Sequence, residues 1–91
     1  MASCRSSGLI TNETKVVVTG NAKLVSVHAS NDTGGALTAN VYDNTAASGK
    51  IVARLHIPAA TSLEFDMHGV ICSIGICAIV PNHLDVTVEF A

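Results

Sequence analysis

This 91-residue chain has no tryptophan, one tyrosine and two phenylalanines. Sugar- and base-binding surfaces rely on exposed aromatic rings as stacking platforms, so both are poorly served here. Charge is scarce too: 13% of residues are charged, against about 25% in an average soluble domain. The five basic residues, Arg5, Lys15, Lys23, Lys50 and Arg54, are scattered, and the formal net charge is −2. Without a basic stripe to neutralise phosphates, nucleic acid is excluded as a partner. The longest apolar stretch, Val70 to Val80, is interrupted by Ser73 and falls short of the ~20 residues a membrane-spanning helix needs. The opening residues lack the apolar run of a secretory leader, so no membrane role is expected.

Cysteine is sparse and odd in number. Cys4, Cys72 and Cys77 do not make an even disulfide framework and read as reduced thiols, with Cys72 and Cys77 acting as small hydrophobes. None of His28, His56, His68 and His83 stands at ligand spacing from a second His or Cys. No metal, and no other cofactor, is therefore expected. Cys72 and Cys77 point to opposite faces of a continuous strand, and only a bend at Gly75 would bring them together. There is no Gly-x-Ser-x-Gly elbow, and no glycine-rich loop leads into a helix. Carboxylates could pair as acid and base, for instance Asp43 with Glu64 or Asp66, but any small protein offers such candidates, and without a cleft they define no acid–base site. The chain is not expected to be an enzyme.

What the sequence does hold is alternation. Val25, Val27 and Ala29 share one face, and Leu24, Ser26 and His28 the other. Leu37, Ala39 and Val41 alternate with Thr38, Asn40 and Tyr42. Ile51, Ala53, Leu55 and Ile57 alternate with Val52, Arg54 and His56 until Pro58. Leu84, Val86, Val88 and Phe90 alternate with Asp85, Thr87 and Glu89. Period two is the mark of half-buried strands. Further strands are expected at Lys15–Thr19 and Leu63–Met67. Val70–Val80 reads as one strand bent at Gly75 or as two short ones. Asn31-Asp32-Thr33-Gly34-Gly35 reads as a hairpin turn. Phe65 and Phe90 read as core, whereas Tyr42 lies on a more polar face.

Turn signals every 8–12 residues and the lack of helical periodicity predict an all-β fold. It is an antiparallel β-sandwich of about eight short strands, jelly-roll-like in arrangement. Residues 13–91 form the single sandwich domain, and residues 1–12, mostly small and polar, read as a flexible N-terminal arm. A domain of this size buries only roughly 60–65% of the surface its unfolded chain exposes, so oligomerisation would help it.

From Val41 to Lys50 the chain resembles small β-sandwich decoration (cement) proteins of tailed-bacteriophage capsids. The matching pieces, in order, are Gly20 with Ala22 to Ser30, Gly34-Gly35, Val41 to Asn44, Gly49 and Pro58. His68-Gly69-Val70, Gly75-Ile76 and Val86 to Phe90 complete them. The likeness spans residues 15 to 91 and departs in Cys72, Cys77 and Ile76. It implies a non-enzymatic structural protein of the virion: a homotrimer on the capsid surface, assembled in the host cytoplasm. Such a protein bridges major capsid protein subunits and stabilises the shell. On that reading Arg5, Ile10 and Asn12 of the arm, ordering on binding, would contact the partner together with Tyr42, Arg54 and His56. The alternatives are a tail or head–tail connector component on the same fold, or a carbohydrate-binding module using Tyr42 as its platform.

Overall fold

The computed structural model describes residues 4–91, and no helix occurs among them. Eight strands follow in chain order: β1 (Arg5–Ile10), β2 (Glu13–Thr19), β3 (Ala22–Asn31), β4 (Leu37–Tyr42), β5 (Ile51–Ile57), β6 (Thr61–Cys72), β7 (Gly75–Val80) and β8 (Leu84–Phe90). They build two four-stranded antiparallel sheets, β1-β8-β3-β6 and β2-β7-β4-β5, packed as a sandwich. Only β4 and β5 are consecutive strands lying side by side. Every other connection crosses from one sheet to the other, which is the jelly-roll arrangement.

The alternation seen in the sequence supplies the core. Leu24, Val27 and Ala29 of β3 and Val86, Val88 and Phe90 of β8 face Ala39 and Val41 of β4, Leu55 and Ile57 of β5, and Ile76, Ala78 and Val80 of β7. Burying one such aliphatic side chain contributes about 1.5–3 kcal/mol.

Four expectations need correction. First, residues 5–10 are not a free arm. Arg5–Ile10 pairs with β8 from Arg5↔Phe90 to Ile10↔Val86, and Ile10 is fully buried. The first three residues of the expected arm lie outside the described residues. The period-two signal of β1 is weak because a bulge at Ser7-Gly8 interrupts it: Gly8 has φ +73, and Ser7 Oγ takes the Val88 N–H at 2.9 Å in place of a ladder carbonyl.

Second, the 31–35 segment is a turn but not a hairpin, because β3 and β4 belong to different sheets. Asn31 is why it holds. Its buried amide donates to the carbonyls of Gly35, Ile57 and Pro58, and its Oδ1 accepts from the Thr33 N–H and hydroxyl.

Third, Leu24 points inward with Val27, not outward with Ser26. β3 carries one extra residue, Val25, between Leu24↔Phe90 and Ser26↔Glu89, and a bulge of one residue reverses the faces beyond it. Val52 does the same in β5: Tyr42 pairs with Ile51 while Val41 pairs with Ala53, so Ile51 is exposed.

Fourth, Gly69 does not end a strand. His68 and Gly69 both take left-handed conformations, with φ of 56° and 76°. They form a bulge inside β6, with Asp66 opposite Ser26 and Val70 opposite Leu24. The real break is Ser73-Ile74. There Asp43 closes the turn by accepting the backbone N–H groups of Ile74 at 2.9 Å, Ser73 at 3.2 Å and Gly75 at 3.4 Å. Phe65, read as core, pairs with Val27 and is only half-buried at the margin of the core, since β6 is an edge strand.

Candidate functional site

Strand order leaves β1, β6, β2 and β5 at the sheet edges, and each of the four carries a register irregularity. Lys15 on β2 adds a further device. It stands opposite inward-facing Ala78 and reaches out of the sandwich to donate to the Ser7 carbonyl at 3.0 Å. Bulges and inward-pointing charges are how sheet edges resist pairing with another chain. The outer faces of the two sheets are therefore the surfaces the molecule offers.

The outer face of β1-β8-β3-β6 is acidic. Cross-strand register sets Glu89, Ser26 and Asp66 in one row, Leu9, Thr87, His28 and Glu64 in the next, and Asp85, Ser30 and Ser62 in a third. Ser26 Oγ donates to Glu89 Oε1 at 2.5 Å and His28 Nε2 meets the same oxygen at 2.8 Å. The Ser26 hydroxyl, then His28, holds the Glu89 carboxyl below the ordinary range against the opposing effect of desolvation. Glu64 lies 3.8 Å from the other ring nitrogen of His28. Four of the seven carboxylates of the chain share this face. Among the described residues, no Lys or Arg makes an ion pair with any carboxylate, and the three pairs present all use histidine.

The outer face of β2-β7-β4-β5 differs. Its rows are Thr14, Ile79, Asn40 and Arg54, then Val16, Cys77, Tyr42 and Ile51, with Thr38 beside His56. Cys77 is fully buried, flanked by Val16 and Tyr42 although it faces away from the core, and burial pushes its thiol pKa up. At the end of the sheet where β2 starts and β7 finishes, a shallow hollow of about 410 Å³ is lined by Asn12, Glu13, Thr14, Thr38, Asn40, Ile79, Val80 and Pro81. Asn40 Oδ1 is buried there without a hydrogen-bond partner, the one such side-chain atom among the described residues. Arg54 stands directly across from Asn40 on β5 and does not donate to it.

Of the residues singled out from sequence, Asn12, Tyr42, Arg54 and His56 come to this second face. Asn12, at φ +52, turns the chain from β1 into β2, and its N–H bonds the Pro81 carbonyl at 3.2 Å. Tyr42 is half-buried, while Arg54 and His56 are exposed. His56 Nδ1 lies 3.5 Å from Thr38 Oγ1. Arg5 is elsewhere, its guanidinium 4.6 Å above the Phe90 ring. Ile10 is a core residue with no surface to give a partner.

Asp43 sits in the loop after β4 and is held at the Ser73–Gly75 turn, whereas Glu64 and Asp66 lie on the outer face of β6, so they form no couple. Cys72 packs in the core while Cys77 faces the opposite way, so the two do not converge. Among the described residues no three His, Cys, Asp or Glu side chains gather in a way that could hold a metal ion. Thr38, Asn40 and Ile79 escaped the sequence reading. The signal available was an amide on the outer face of an otherwise regular strand, which by itself resembles any solvated position.

Comparison with known proteins finds no family model, no curated protein and no solved structure that matches the chain.

Proposed function

We propose that this protein is a non-enzymatic structural component of a tailed-phage particle, a homotrimer that decorates the capsid surface by bridging major capsid protein subunits. The observation that carries the reading is the shape and finish of the molecule. It is a slab of 37 × 31 × 18 Å with four irregular edges and two broad faces. Each face is large enough to supply the ~800 Å² per partner of a standard interface. Large apolar side chains stand exposed around it, among them Leu9, Val16, Ile71 and Ile74. Lys and Arg make no ion pairs with carboxylates among the described residues, and Lys23 and Arg54 stand exposed.

A decoration protein needs only modest affinity per contact. A trimer that engages several shell sites together gains from effective concentration what each small interface lacks. Light scattering of the purified protein, followed by co-sedimentation with empty shells, tests the reading. A mass three times that of the chain, and binding in the hundreds of copies that closed shell symmetry offers (order of magnitude), is the expected result. A monomer that stays in the supernatant overturns it.

A further inference from the structure

Resting on the trimeric reading above, we propose that the outer face of β2-β7-β4-β5 is where each copy of this chain meets two others, the three sheets facing a common threefold axis that runs along their strands. Of the two broad faces, only this one has no carboxylate in its rows. The row Val16, Cys77, Tyr42 and Ile51 is apolar from one edge of the sheet to the other. Val16 and Ile51 at its ends are 44% and 37% exposed, and Ile79 in the adjoining row is 38% exposed. A neighbouring copy laid on this band would remove it from water. The opposite face does not suit the role. Three sets of Glu64, Asp66, Asp85 and Glu89 would converge on the axis, and like charges set against one another are destabilising.

The two edges of the sheet match each other. Rotation about an axis along the strands carries a residue round but not up or down, so each row closes on itself. β2 and β5 are the edge strands, and the β5 edge of one copy comes to the β2 edge of the next. At the apolar row, Ile51 meets Val16. At the adjoining row, Arg54 comes to Thr14 and to Glu13 beside it. Glu13 and Arg54 are both exposed, and among the described residues neither makes an ion pair within the chain. Apolar side chains and opposite charges thus stand at matching heights on two different edges, which is the complementarity a closed head-to-tail ring uses.

The dimensions agree. Four strands about 4.8 Å apart make a wall ~19 Å wide, and three such walls joined edge to edge stand ~5.5 Å from the axis. That is close to half of the ~10 Å between packed sheets, so outward side chains of β7 and β4, Ile79 and Tyr42 among them, fill the centre. The contact is made by side chains and needs no ladder hydrogen bonds. The irregularities in β2 and β5 therefore do not oppose it.

The test is sedimentation velocity over a dilution series. It compares the parent with Ile79→Glu, Arg54→Glu, the swap combining Glu13→Arg with Arg54→Glu, and Asp85→Lys on the acidic face, each shown by its melt to be folded. The parent and Asp85→Lys are expected to be trimers and Ile79→Glu a monomer. Arg54→Glu should raise the concentration of half-dissociation about tenfold or more, and the swap should recover most of that loss. Arg54 is exposed, so its variants keep the test alive should Ile79→Glu fail to fold. The face assignment is overturned, and the trimeric reading kept, if the parent is a trimer and Arg54→Glu and Ile79→Glu dissociate no more readily than it does. A parent that is monomeric or dimeric overturns both. A trimer that these variants break as expected, but that leaves empty shells undecorated, upholds the face and removes the capsid reading.

Discussion

The side-chain nitrogen of Asn31, at the end of β3, donates to the Ile57 carbonyl at 3.1 Å, at the end of β5 in the opposite sheet. With its further bonds to Gly35, Pro58 and Thr33, this one buried amide joins two sheets and two loops. Removing it strands several buried groups at once, and each unsatisfied group costs about 1–3 kcal/mol. Asn31→Ala is expected to lower the unfolding free energy by at least that amount, measured by urea titration. A loss under ~0.5 kcal/mol, the range of ordinary surface substitutions, would show the network to be dispensable.

Gly75 is held by close approach. A Cβ added there would lie 2.7 Å from the Val18 carbonyl oxygen and 3.3 Å from that of Asn44, both backbone atoms. Gly75→Ala therefore pushes β2 off the start of β7, and overpacking of this kind costs about 1–3 kcal/mol. Gly34 meets nothing within 4 Å, so Gly34→Ala serves as the near-neutral control in the same thermal melts.

Acid should weaken the fold through Asp43 and Glu89. Both carboxyls are held below their ordinary values in the folded protein, Asp43 chiefly by the Ile74 N–H and Glu89 chiefly by the Ser26 hydroxyl. A depressed folded pKa means that the unfolded chain takes up the proton first. The stabilisation is thus complete above the unfolded values, 3.8 for Asp and 4.5 for Glu, and is lost as pH falls below them through the folded values. Tm measured from pH 7 to pH 2 should hold level and then drop below about pH 4.5. The drop should be shallower in Asp43→Asn and Ser26→Ala, each less stable than the parent at pH 7. A parallel drop in all three proteins contradicts the assignment.

β1 is a structural strand, with a consequence for any truncation. Ile10→Ala opens a cavity in the core and should cost about 2–5 kcal/mol. Deleting residues 2–12 removes the whole neighbour of β8 and bares an unpaired edge. The deletion variant is expected to aggregate or to lose its cooperative melt, judged by scattering and circular dichroism. A truncated protein that melts like the parent would mean that β1 contributes nothing.

Thiol titration separates the three cysteines. Cys4 is exposed whereas Cys72 and Cys77 are buried, and burial raises the pKa of both buried thiols. An aromatic disulfide reagent at neutral pH should react rapidly at Cys4 alone in the native protein, and at all three residues in denaturant. Rapid reaction at Cys77 in the native state would mean that Val16 and Tyr42 do not shield it.

Much of the sandwich was legible because alternation is a local property. The runs Leu37–Tyr42 and Leu84–Phe90 each show it without interruption, and in each the inward residues are those the pattern names. The total of eight strands agrees with expectation although the division differs. β1 was read as an arm, and Leu63–Met67 and Val70–Cys72 proved to be one strand carrying a bulge. In β3 and β5 the extra residues Val25 and Val52 leave the composition of the strand unchanged while reversing the faces of Leu24 and Ile51. A bulge is set by its partner strand, and no partner is written beside it in the chain.

The candidate site was less legible still. Asn12, Tyr42, Arg54 and His56 could be named from their surroundings along the chain, but Thr38, Asn40 and Ile79 acquire meaning only beside one another.

By itself, then, the sequence determined the all-β class, most of the inward-facing side chains, the low charge and the main turns, because each depends on neighbours a few residues apart. Tertiary structure alone decided that β1 closes against β8 from the far end of the chain, that the Asn31 turn crosses between sheets, and that four carboxylates gather on one face. It also left the buried Asn40 Oδ1 without a hydrogen-bond partner on the other face. Each depends on residues distant in the chain, 81 positions for Ser7 and Val88 and 26 for Asn31 and Ile57, and a pattern of period two carries the face a residue prefers but not the strand it will lie against.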